Sequence, residues 1–135
     1  MFSSSKLLRV VLAFVGLAII FLGLNVGLGG IQTLGWQGGA DFITITDAGA
    51  FSIRDSHIRF IGGVWLGVGL IFLAGAVALE RLHATLILLA GAIFIGGLAR
   101  FSAADPAALF DAALLPSLVA ELLLFPLIAL WVARS

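Results

Sequence analysis

Glu121 is the only acid of this chain that lies inside a long apolar run. It stands five residues past Pro116, about 7.5 Å into a helix that starts there. Arg100 closes the apolar run before it, and Arg59 opens an earlier one. An ionised carboxylate at the centre of a bilayer costs ~2.5–3.5 kcal/mol, so Glu121 is expected to face inward and meet a cation. Arginine suits that task, because its planar fork can hold a carboxylate through two hydrogen bonds. Both Arg100 and Arg59 are open to it. One reading is a clamp that fixes helix register. A second is a polar site for a lipid headgroup, a substrate or a proton. In a third, the arginines snorkel separately to the interface.

Other chemistries find little here. His57 and His83 are the only histidines, and the apolar run between them puts them on opposite sides of a membrane, so they cannot share a metal or a haem. Cysteine is absent, which excludes disulfides, thiolate catalysis and iron–sulfur ligation. No HExxH, Walker loop, GxSxG or dinucleotide fingerprint occurs. Seven basic and seven acidic residues balance without a basic cluster, which argues against nucleic acid as a partner. No metal and no cofactor is expected.

The elements that must position the charges follow from hydropathy. Of 135 residues 62% are hydrophobic and 10% are charged, against about 25% charged in a soluble domain. Mean hydropathy is +1.26. The composition points to an all-α polytopic membrane protein, a single domain over 1–135. Four spans are predicted near 7–28, 58–79, 82–101 and 116–132, forming an antiparallel four-helix bundle. Ile58–Leu79 is the clearest of them: 22 residues give about 33 Å of helix, enough to cross a hydrocarbon core. The N-terminal run has the basic start of a signal peptide but is too long for one, and reads as an uncleaved first span.

Small residues mark where helices can approach. Gly23 and Gly27, then Gly63 and Gly67, sit four apart, and Ala92 and Gly96 lead at the same spacing to Arg100. These six are the expected packing positions. Asn25 shares a turn with the first pair and is a candidate for a polar contact. The segment between the first two spans is polar. Phe42–Ile45 and Phe51–Arg54 alternate around Asp47-Ala48-Gly49, which fits a short β-hairpin or, as the competitor, a short interfacial helix. Asp55 or Ser56 is placed to cap the second span. Glu80-Arg81 marks a tight turn before the third. Pro116 suits the first turn of the fourth span, and Pro126, in its middle, should kink it.

Four spans put both termini on one side. Lys6, Arg9, Arg81 and Arg134 lie there, against Arg54, Arg59 and Arg100 opposite, so cytoplasmic termini in a bacterial inner membrane are expected. Alternating helix direction then gathers Asn25, Arg59, Arg100 and Glu121 into the non-cytoplasmic half.

RFIGGVWLGVGL (59–70), HATLILLAGAIFIGGLARF (83–101) and VAELLLFPLIALW (119–131) resemble the DUF4345 family of small bacterial membrane proteins. Arg59, Phe60, Gly63, Trp65, Gly67, Gly69 and Leu70 match its second-span motif. Gly96, Gly97, Leu98 and Arg100 match the end of its third. The resemblance covers roughly 45–134 and implies an architecture more than an activity. The family is similar in outline to the DoxX-like group, some members of which are linked to quinone-dependent redox chemistry; this chain lacks cysteine, and that activity is not carried over. The leading expectation is a non-enzymatic protein that binds a lipid, an amphiphile or a partner protein near Arg59, Arg100 and Glu121. A small transporter or channel using Glu121 is the first alternative, and it would need a homo-oligomer to form a pore. A quinone-associated oxidoreductase subunit is the second.

Overall fold

The computed structural model of the chain describes residues 4–33, 44–103 and 105–135. Apolar residues recur here at alternating spacings of three and four, and such a pattern winds into helices that share a seam. Among the described residues there is helix and no strand. The elements are α1 (Ser4–Gly29), α2 (Ala48–Val77), α3 (Leu79–Ala99), α4 (Pro106–Leu109), α5 (Leu115–Val119) and α6 (Phe125–Ala133). A π turn, Ala120–Leu124, joins α5 to α6 without a break. Four stretches are long and apolar enough to cross a membrane: Ser5–Thr33, Ala48–Val77, Leu79–Ala103 and Leu115–Ala133. Phe14, Leu28, Phe60, Val77 and Leu88 are each more than two-thirds exposed. Water would penalise such a surface heavily, and lipid does not.

The residues fall into two compact units, one over Val10–Val77 and the other joining the start of α1, up to Arg9, with Ala78–Ser135. In the first, α1 and α2 run antiparallel, nearly backbone on backbone. A Cβ added to Gly16 would lie 2.6 Å from the Leu73 nitrogen and 2.9 Å from the Gly69 carbonyl oxygen. One at Gly23 would lie 2.7 Å from the Leu66 Cα, and one at Gly69 2.7 Å from the Ile20 nitrogen. Gly62 meets the Gly27 Cα at 2.6 Å in the same sense. The close approach thus runs along Gly16, Gly23, Gly62 and Gly69, each pair seven residues apart, with Gly27 in ordinary contact at 3.5 Å.

The close approach expected at Gly63, Gly67, Ala92 and Gly96 is not seen among the described residues. A Cβ at Gly63, Gly67 or Gly96 would meet nothing within 4 Å among the described residues, and Ala92 is exposed. A residue next in sequence is turned by about 100° around a helix. Gly63 therefore faces away when Gly62 faces α1.

Two further expectations change. Phe51–Arg54 is not a strand but the first turns of α2. Asp47 explains why: its Oδ1 accepts the Ala50 N–H at 3.0 Å, and its carbonyl accepts the Phe51 N–H at 3.0 Å. Those bonds make Asp47 an N-cap and not the corner of a hairpin. Phe42 and Ile43, which the first strand would need, lie outside the described residues. Asp55 and Ser56 accordingly sit inside the helix and cap nothing at its start. The break before α3 comes at Ala78, with φ −116° and ψ 48°, two residues ahead of Glu80-Arg81. Glu80 falls in the first turn of α3, where a negative charge complements the helix dipole, and it accepts from Arg9 Nη2 at 2.7 Å.

Candidate functional site

α3 buries Leu86, Ala90, Ile93 and Gly97. Arg100 stands three residues further along the same seam. The last span buries Leu118, Glu121, Phe125, Ile128 and Val132, again at spacings of three and four. Two such stripes pack into each other, and the carboxylate of Glu121 is carried into the contact as if it were an apolar residue. It is the one charged residue that is buried among those described, at 7% exposure.

Arg100 meets it side-on. Nε donates to Oε2 at 2.6 Å and Nη2 donates to Oε1 at 2.6 Å. Gly97 makes this possible. A Cβ there would come within 2.8 Å of the Glu121 Cβ and 3.0 Å of the Leu122 Cδ2, so any side chain would push the two helices apart. The local backbone of the last span contributes as well. Pro126 has no N–H to offer, and the turn before it widens: the Phe125 N–H bonds the Ala120 carbonyl, five residues back. Glu121 is the second residue of that π turn. Where a kink is expected at Pro126, the structure shows this wide turn beside the charge pair.

A guanidinium has five N–H donors. Two of Arg100's go to Glu121, and among the described residues the side chain bonds nothing else. The edge formed by Nη1 and the second Nη2 hydrogen is therefore open. The Arg100 side chain is 36% exposed, against 10% for Glu121. Leu98, two residues before, and Phe101, the next residue, are exposed apolar residues. The arrangement can present two fixed donors at the end of α3.

Arg59 and Asn25 serve a different structure. α1 ends at Gly30, with φ +72° in the left-handed region that glycine tolerates. The Ile31 N–H after it donates to Asp55 Oδ1 at 2.8 Å. Arg59 Nε donates to Asp55 Oδ2 at 2.6 Å, and its Nη1 donates to the Leu28 carbonyl. Asn25 Nδ2 donates to the Thr33 carbonyl at 3.0 Å, and Thr33 Oγ1 donates back to the Asn25 carbonyl at 2.8 Å. These bonds close the C-terminus of α1. Of the two arginines open as partners for Glu121, Arg100 holds it.

Two residues do more than the sequence assigns them. Asp55, a cap candidate by position, binds Arg59; the i, i+4 spacing on one helix is the available signal. Gly97, tied by the sequence only to the third-span motif, makes the close contact expected of Gly96; Leu86, Ala90, Ile93, Gly97 and Arg100 fall at one seam spacing.

Compared with known proteins, the sequence matches the family described as Domain of unknown function (DUF4345) over residues 7–132. No curated protein and no solved structure matches the chain.

Proposed function

This chain belongs to the DUF4345 family, and we propose that it is a small non-enzymatic protein of the bacterial inner membrane that holds the polar head of a lipid or other amphiphile at Arg100. The reading has it cross the membrane four times with both termini cytoplasmic. It rests on one observation: Arg100 is fixed along one edge by Glu121, and among the described residues its other edge has no hydrogen-bond partner. A flexible surface arginine loses side-chain freedom when it binds. One already held in place loses less, so more of its hydrogen-bond energy appears as affinity. Phe101, next in sequence and exposed, is the apolar residue available to an acyl chain there.

Native mass spectrometry of the protein released from membranes in mild detergent tests this. The expected result is a bound amphiphile in the unaltered protein that is missing from Arg100→Gln/Glu121→Gln. That double substitution keeps a neutral hydrogen-bonding pair and leaves no buried charge behind. If the adduct survives in the double variant, the head group is held elsewhere and the proposal fails.

A further inference from the structure

We infer that the cleft at the start of α2 takes a head group that carries a phosphate and an ammonium, with the phosphate on Arg54 and the ammonium on Asp47. This site is separate from Arg100 and does not depend on the reading given there. The cleft has a volume of about 150 Å³, and Thr44, Ile45, Thr46, Asp47, Phe51 and Arg54 line it. Pockets that enclose a whole small molecule are roughly 300–1,000 Å³. This one suits a head group whose chains, if it has any, stay outside.

Both charges in the cleft are uncommitted. Arg54 has no hydrogen bond or ion pair among the described residues, and the hydroxyls of Thr44 and Thr46 have none either. Asp47 accepts the Ala50 N–H on Oδ1 and leaves Oδ2 open. Asp47 and Arg54 line one cleft and still form no ion pair with each other. Asp55, next to Arg54 in sequence, does not neutralise it, because its carboxylate is bonded to Arg59 and to the Ile31 N–H. A simple anion at Arg54 would be repelled by Asp47, and a simple cation at Asp47 would be repelled by Arg54. A ligand with one charge of each sign complements both. The two threonine hydroxyls can donate to phosphate oxygens.

The order of the charges fixes which end of the ligand faces the membrane. The apolar run of α2 begins at Ile58. Arg54 stands four residues before it, about 6 Å along the axis, and Asp47 stands two turns further out. Long side chains on a helix lean toward its N-terminus, which carries the guanidinium into the interval between the two. The polar layer outside the hydrocarbon is about 5–7 Å deep on each side, so it reaches Arg54. The cation is therefore nearer the hydrocarbon and the anion farther from it. An aminophospholipid has the opposite charges in the same order, with phosphate next to the glycerol and ammonium at the tip.

The test titrates dioctanoyl phosphatidylethanolamine and dioctanoyl phosphatidylglycerol into the full chain in dodecyl maltoside micelles, followed by native mass spectrometry. The ethanolamine lipid should bind about tenfold more tightly, the worth of one charge-assisted contact. Asp47→Asn should erase that preference and keep the fold, because Asn caps a helix as Asp does. Arg54→Gln should weaken the ethanolamine lipid by about tenfold as well. Equal affinity of the two lipids for the unaltered protein would overturn the inference, as would a preference that survives Asp47→Asn; the first comparison needs no variant. A preference kept in Arg54→Gln and lost in Arg100→Gln/Glu121→Gln would overturn it and leave the Arg100 reading standing. Glycerophosphoethanolamine, the same head group without chains, separates the two sources of this chemistry. Binding of it as tight as that of the lipid, with the same dependence on Asp47, identifies a soluble ester; binding of the lipid alone identifies a membrane component.

Discussion

Gly97 lies flat against Glu121, with room for no more than its hydrogen between the two helices: a Cβ on Gly97 would stand 2.8 Å from the Glu121 Cβ. A Cβ on its neighbour Gly96 would meet nothing within 4 Å among the described residues. The contrast gives a sharp comparison. Gly97→Ala should destabilise the protein, by about 1–3 kcal/mol for an overpacked contact. Gly96→Ala should be neutral or slightly stabilising, since Ala favours helix over Gly by about 0.8–1 kcal/mol in water. Thermal melts in detergent of the two variants should separate. Coincident curves would mean that α3 does not approach the last span along Gly97.

The α1–α2 contact makes the same kind of claim at another register. Gly62→Ala should be poorly tolerated, because its Cβ would run into the backbone of Gly27. Gly63→Ala, one position on, should fold as the parent does. Yield and melting temperature report both. A Gly63 variant as damaged as the Gly62 variant would show a contact on that face that these helices do not make with each other.

These glycines also show what the sequence could and could not tell. Four apolar runs of membrane length were legible from hydropathy alone, because lipid asks only for length and lack of charge. The charge pair was legible too, as a carboxylate in an apolar run with arginines at the ends of two others. Its partner was not, since both arginines satisfied the same electrostatic need. A spacing of four picked out Gly63-xxx-Gly67. The true seam uses a spacing of seven, as antiparallel helices in long contact do, and it appears once Gly16, Gly23, Gly62 and Gly69 are written out together. The start of α2 leaves strand and helix open for a local reason. Alternating Phe, Ile and Thr suit a strand, but Asp47 followed by two small residues supplies a helix cap, and the cap prevails.

At the end of α1, Gly30 carries a claim about backbone geometry. Its φ of +72° disfavours any side chain, and a Cβ there would strike the Asp55 carboxylate. Gly30→Ala should therefore cost more than the ordinary Gly-to-Ala difference and should loosen the Ile31–Asp55 bond. Asp55→Asn should weaken the same junction more mildly, because it removes the charge opposite Arg59 and keeps an acceptor for the Ile31 N–H. Hydrogen exchange at Ile31 reads the effect directly. Unchanged protection in both variants would show that Asp55 does not fasten the end of α1.

The last prediction concerns the pair itself. Glu121→Gln leaves Arg100 without its counter-ion, and breaking one partner of a buried pair costs about 3–5 kcal/mol. The loss here should be smaller, because Arg100 is 36% exposed and can turn its head toward water. Arg100→Leu should cost more than Glu121→Gln, since it strands a carboxylate that is only 10% exposed. Replacing both, Arg100→Leu with Glu121→Leu, should recover much of that loss, because no unpaired charge remains and Leu fits the apolar seam of Leu118, Phe125 and Ile128. The coupling in the cycle completed by Glu121→Leu should then exceed the few tenths of a kcal/mol expected of independent sites. The comparison separates architecture from binding. A double variant that melts like the parent and has lost its bound amphiphile places the pair's purpose in recognition. One that keeps the amphiphile places it in register alone. Strictly additive losses around the cycle would show that the two side chains do not depend on each other, whatever their distance.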